Sequence, residues 1–140
     1  MLNQFNEILK GTYQELNGIR YAHLEKGKAI GIMEVQSHHL NPNGTLHGAA
    51  LVALADSIAM AGLIYTYELN PAATTSLSIS FIRTVKTGQV RAEANILSQG
   101  RTVSAWQVDC YDEKDNLLAT VQANFCLLKK GSTKWEEQMG

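Results

Sequence analysis

Hydrophobic patterning divides the chain into two regimes. Leu2, Phe5, Leu9, Tyr13 and Leu16 recur at spacings of three and four, which predicts an amphipathic first helix ending at Asn17-Gly18. Residues from about Ile19 to Ser37 alternate poorly but read as two strands around the turn Glu25-Lys26-Gly27-Lys28. After the turn-rich Asn41-Pro42-Asn43-Gly44-Thr45, the segment from Leu46 to Ile64 reads as an almost wholly apolar helix with one acid, Asp56. A helix that is apolar all round is buried rather than lying on the surface. Ala49, Ala50, Ala53, Ala55, Ala59 and Ala61 keep it slim, so strands can approach it closely.

Beyond Asn70-Pro71 the period becomes two. Leu77, Ile79 and Phe81 alternate with Ser76, Ser78 and Ser80, and Val90, Ala92, Ala94 and Ile96 alternate with Arg91, Glu93 and Asn95. Trp106, Val108 and Cys110 make a third apolar face, and Leu117, Ala119, Val121, Ala123, Phe125 and Leu127 a fourth. Four successive strands joined by short turns predict an antiparallel meander with one dry and one polar face. The last segment, residues 129–140, lacks periodicity and is expected to be a mobile tail. No linker or repeat divides the chain, so the expected fold class is α+β in a single domain over 1–140: one long apolar helix enclosed by a curved antiparallel sheet.

Composition narrows the function. The 12 basic and 13 acidic residues leave a net charge of −1 and no basic block, which argues against a nucleic-acid module. Acids and amides among the first ten residues do not make a signal peptide. The charge-free run after Asp56 is about eleven residues, short of the roughly 20 needed to span a bilayer, so no membrane segment is expected. Cys110 and Cys126 fall on opposite face types, which predicts two reduced thiols in a cytoplasmic protein.

The arrangement NxxGTxHGA leading to LAD, with Asp56 eight residues after Gly48, resembles the hot-dog-fold acyl-coenzyme A thioesterases, the phenylacetate-pathway group in particular. The similarity runs from about Ser37 to Leu128 and includes TTSLSISFIRTVKTG and the turn at Gly100-Arg101. His47-Gly48-Ala49 stands where that family usually has HGG, and Phe81-Ile82-Arg83-Thr84 where it has F-x-R-P. Neither departure removes a chemically active group. The resemblance implies a hot-dog fold, hydrolysis of an acyl-coenzyme A substrate and a homo-oligomer, while the adjacent His38-His39 and the lack of a CxxC pattern lead to the expectation of no metal or other cofactor.

A thioester carbonyl becomes an oxyanion when attacked, so donors must face that oxygen. Gly48 lies at the expected helix N-terminus, where free N–H groups and the positive end of the dipole point outward. Asn41 precedes Pro42, which biases it toward extended backbone, and its amide can donate to the same carbonyl or orient water. As a bland turn residue in NPNG, Asn43 fits better, and the resemblance favours Asn41 for function. His47 suits a donor role or a helix cap equally. Asp56, amid Leu54, Ala55, Ile58 and Ala59, is the candidate general base or direct nucleophile. The resemblance gives Thr74 the task of holding the attacking water. Strand parity instead puts Thr75 on the face of Leu77 and Ile79, and a bulge near the strand start would reverse this. Arg101, Lys86 and Arg83 are candidates for meeting coenzyme A phosphates. His38-His39 diverge on an extended chain and are not read as metal ligands.

Gly48 and Asp56 lie about 12 Å apart along a helix rising 1.5 Å per residue. Reacting groups must meet at about 3–3.5 Å. Two antiparallel helices side by side satisfy this, Gly48 of one facing Asp56 of the other, so the site is expected to span a two-fold dimer. Ser76, Ser78 and Ser80 on the polar sheet face bear on whether dimers pair into tetramers. Two other readings compete: a hot-dog dehydratase acting on 3-hydroxyacyl thioesters, whose usual histidine-phenylalanine and proline-glycine pattern is missing, and a non-catalytic acyl-coenzyme A-binding protein. Aromatic and medium-chain acyl groups remain equally open.

Overall fold

The computed structural model describes residues 1–131 and 133–139. Six strands form one antiparallel sheet: β1 (Arg20–Glu25), β2 (Lys28–Glu34), β3 (Ala72–Phe81), β4 (Gln89–Gln99), β5 (Val103–Tyr111) and β6 (Leu117–Leu127). Helices α1 (Leu2–Glu7), α2 (Tyr13–Leu16), α3 (Gly48–Thr66) and α4 (Lys134–Met139) complete the fold. The nineteen-residue α3 packs against all six strands, so the sheet wraps around it as expected. By length and apolarity α3 matches a membrane span, yet more than half of it is buried within the sheet and it serves as the core helix.

Alternation along β4, β5 and β6 translates directly into burial. Val90, Ala92, Ala94, Trp106, Val108, Cys110, Ala119, Ala123 and Phe125 have no exposed surface. Both cysteines are free thiols, Cys110 buried and Cys126 half-buried on the opposite face. Small residues on α3 admit the large strand side chains. A Cβ on Gly62 would lie 2.9 Å from two atoms of the Trp106 ring and 3.1 Å from the Ala29 methyl. Trp106 is anchored by its indole N–H donating to Ser104 Oγ at 2.9 Å, so the ring has no room to yield. Gly62→Ala is therefore expected to destabilise the fold by about 1–3 kcal/mol despite the better helix propensity of alanine, as urea unfolding would measure.

Four expectations change. The strand order is β1-β2-β4-β5-β6-β3, so the last four strands are not a meander. After β3 the chain crosses past β6 and β5, and β3 becomes an edge strand paired with β6. Its Leu77 and Ile79 are consequently only half-buried, and Phe81 is 55% exposed. The first amphipathic stretch is broken into α1 and α2 because Gly11 adopts a φ of +75°, open to glycine and unfavourable for other residues. The apolar helix begins at Gly48 rather than Leu46 because Leu46 pairs with Leu40 in an isolated bridge. Within the expected tail, α4 sets Trp135 against Phe5 with ring centres 4.8 Å apart, and Lys134 donates to the Lys10 carbonyl.

Candidate active site

The loop before α3 and the first turn of that helix concentrate the polar groups predicted from sequence. Asn41 begins an Asx turn: its side-chain oxygen accepts from Asn43 N at 2.9 Å, Thr45 N at 3.3 Å and Thr45 Oγ1 at 3.2 Å. Three donors on one side identify that atom as the oxygen and leave Nδ2, the amide donor, without a partner among the described residues. Asn41 is thus both the turn residue and a free donor, and Asn43 supplies only a backbone N–H to the turn.

His47 caps α3, with Nδ1 accepting from Ala49 N at 3.0 Å, while its carbonyl accepts from Ala50 N at 2.9 Å. Of the first three amides of the helix, only Gly48 N–H has no partner among the described residues. Gly48 and Asn41 line the same open groove of about 480 Å³, together with Thr45, Leu46, Leu51, Phe81, Ile82, Arg83 and Thr84. The Phe81 ring lies over Gly48, and a Cβ there would come within 2.8 Å of it. The helix N-terminus adds its positive dipole to this groove, which suits a developing oxyanion. A second cavity of about 160 Å³, on the side of Tyr13, His38 and Ala53, contains neither Gly48 nor Asp56.

Asp56 projects from the middle of α3 and is half-buried. It lies on a stripe of that helix, Ala49, Ala53, Asp56 and Met60, that the sheet does not fully cover. Thr74 Oγ1 donates to Asp56 Oδ1 at 2.7 Å. A register break between Thr74 and Ser76 in the pairing with β6 makes this contact possible: Thr75 is bulged, and its hydroxyl bonds the Asn124 carbonyl at 3.0 Å. The bulge reverses strand parity, turning Thr74 toward the helix. The Thr74 proton is given to the carboxylate itself, whose Oδ2 has no partner among the described residues.

Within one chain the predicted groups form two clusters, Asn41 with His47 and Gly48, and Asp56 with Thr74. They stand about 12 Å apart along the helix. Arg83 lines the groove, and Lys86 is exposed on the same crossover. Arg101 does not join them. The adjoining Thr102 carbonyl accepts from Leu127 at one end of β6, whereas Arg83 N donates to Leu118 O at the other, about 30 Å away at strand rise. Sequence reasoning missed Thr45, which orients Asn41, and Phe81 as the groove wall. The turn-rich composition of residues 41–45 signalled a turn but not its bonds.

Comparisons with known proteins bear on the family and the fold. Residues 43–119 match the model of the thioesterase superfamily. The proofreading thioesterase EntH of Klebsiella pneumoniae is 36% identical over 112 residues, covering 79% of this chain and 82% of that protein. The 1,4-dihydroxy-2-naphthoyl-CoA hydrolase of Escherichia coli is 28% identical over 128 residues, 91% of this chain and 94% of its own length. Among solved structures, a thioesterase from Haemophilus influenzae superposes with a TM-score of 0.87 at 23% identity, covering 92% of this chain and 91% of that one. A mutant of the phenylacetic acid degradation protein PaaI of Thermus thermophilus gives 0.77 at 30% identity, over 83% and 98%. The chain belongs to the thioesterase superfamily and is a thioester hydrolase built on the hot-dog fold.

Proposed function

We propose that this protein is a cytoplasmic acyl-coenzyme A thioesterase whose two sites are each shared between the protomers of a two-fold dimer. The observation that carries this reading is the pair of unpartnered donors, Gly48 N–H and Asn41 Nδ2, lining one groove. The thioester carbonyl oxygen lies against these donors. Water attacks the carbonyl carbon as Asp56 of the other protomer takes its proton, the oxyanion forms between the two N–H groups, and collapse expels the coenzyme A thiolate. In the alternative covalent route, the same carboxylate attacks directly and water releases the acyl group. In either route Thr74 holds Asp56 Oδ1 and leaves Oδ2 to react.

The half-covered stripe on α3 and the open edge of β3 support the dimer, because both are surfaces a second copy would cover. Such a copy, related by a two-fold axis between the helices, also brings its Asp56 and Thr74 toward the Gly48 end. Arg83 and Lys86 beside the groove suit coenzyme A phosphates, and one relative is itself named for a coenzyme A thioester. Assaying thiol release from a panel of aromatic and aliphatic acyl-coenzyme A substrates tests the reading. Turnover with any of them supports it, and none with all of them defeats it.

No metal takes part in this scheme. His38 and His39 are adjacent, neither cysteine sits in a CxxC pattern, and His39 has both ring nitrogens hydrogen-bonded. Activity is expected to survive exhaustive chelation. Loss restored by zinc or another divalent ion would contradict the scheme.

A further inference from the structure

His39 is the one buried histidine, 3% exposed, whereas His23, His38 and His47 are exposed. Its Nδ1 accepts the Gln36 N–H at 3.0 Å, and its Nε2 faces the Asn17 carbonyl at 3.0 Å. A carbonyl oxygen cannot donate, so Nε2 carries the proton and Nδ1 the lone pair. Burial first, then His38, holds the imidazole pKa below its ordinary value, against an opposing effect of the Asn17 carbonyl. The ring therefore spans two backbone groups as a neutral linker between the end of α2 and the loop that leads to α3.

The backbone at the same residue reaches the groove. His39 O accepts from His47 N at 2.9 Å, Leu40 bridges Leu46, and Asn41 N donates to Thr45 O at 2.8 Å. Residues 40–46 thus form a small closed loop with its feet at His39 and His47. Asn41 follows the first foot by two residues, and Gly48 follows the second by one. Leu46 N, donating to Val85 O at 2.8 Å, ties the loop on its other side.

We propose that His39 is a positioning residue: its neutral ring pegs this loop to the end of α2 and so sets Asn41 Nδ2 and Gly48 N–H relative to each other and to the substrate carbonyl. The proposal rests on the reading of those two groups as the oxyanion donors. Donors of this kind act mainly in the transition state, and misplacing a reacting geometry by 1 Å can cost about a hundredfold.

Three variants test it. His39→Leu loses both ring bonds, His39→Asn keeps an acceptor near Gln36 N, and His39→Gln keeps a donor near Asn17 O. Each is assayed at a temperature where circular dichroism shows it fully folded. His39→Leu is expected to lower kcat about a hundredfold with KM within about twofold, the two amides falling between it and the wild type. Amide exchange at His47 is expected to quicken about tenfold in His39→Leu, with β4–β6 unchanged. Wild-type kcat and KM per folded molecule, with lowered thermal stability alone, would mark a merely structural residue and overturn the proposal. If His39→Leu does not fold, the Asn and Gln variants decide by the same criteria. If the wild-type protein hydrolyses no thioester, the donor reading falls on its own, and exchange still decides about the peg: unchanged protection across residues 40–47 overturns it, and faster exchange there supports it.

Discussion

Asp56→Asn is expected to leave a folded protein that binds acyl-coenzyme A but turns it over about two to four powers of ten more slowly. The substitution is nearly isosteric, and the new side-chain oxygen can still accept from Thr74 Oγ1, which bonds Oδ1 at 2.7 Å in the parent. Removing a partly buried charge does not by itself cost stability, so thermal unfolding should hold or rise. The groove donors, Gly48 and Asn41, are untouched, and binding that depends on them should persist. The measurement pairs steady-state thiol release with calorimetric titration of a non-hydrolysable acyl-coenzyme A analogue. Hydrolysis within a few-fold of the parent would remove Asp56 from the reaction, whichever of its two routes is followed.

A hybrid of two inactive variants is expected to regain activity. Asn41→Ala and Asp56→Ala homodimers each lack one group in every site. In the mixed dimer, the Asp56→Ala chain still carries Asn41 and the Asn41→Ala chain still carries Asp56. If each site takes its donors from one protomer and its carboxylate from the other, one site is whole and the other doubly defective. By two-fold symmetry, activity should then reach about half the parent value per dimer. Sites built from a single chain would leave the hybrid as inactive as its parents. Co-expression with two affinity tags isolates the hybrid, and a dead hybrid would defeat the shared-site scheme. The roughly 12 Å between Gly48 and Asp56 on one helix is the physical basis of this expectation.

The two clusters of the site were unequally legible in the chain. Residue types and spacing already pointed to Gly48 and Asp56, because a helix start and a lone acid in an apolar helix are local features, and the family resemblance added Asn41 from the turn before the helix. Which of their atoms are free is a matter of hydrogen bonding in space. The Ala49 amide is taken by His47 Nδ1 and the Asn41 oxygen by Thr45 and Asn43, which leaves Gly48 N–H and Asn41 Nδ2 open. Thr74 could not be separated from Thr75 by parity, since one bulged residue reverses every side chain before it. His39 left no sign at all: its role comes from bonds to Asn17 and Gln36, one of them 22 residues away.

Local periodicity was sufficient for the long apolar helix, for β4, β5 and β6 and for their buried faces, because a residue's side of a helix or strand follows from its position in the repeat. The order of the strands did not follow from any repeat. Pairing β3 with β6 rather than β4 joins residues such as Phe81 and Ala119, far apart in the chain, and depends on which edges can close around α3. That choice sends residues 82–88 across the end of the sheet to meet Leu46 through Val85, and it places Phe81, Ile82 and Arg83 in the wall of the groove above Gly48. The candidate chemical groups were written in short stretches of sequence, and the groove beside Gly48 arose only when distant strands packed around one helix.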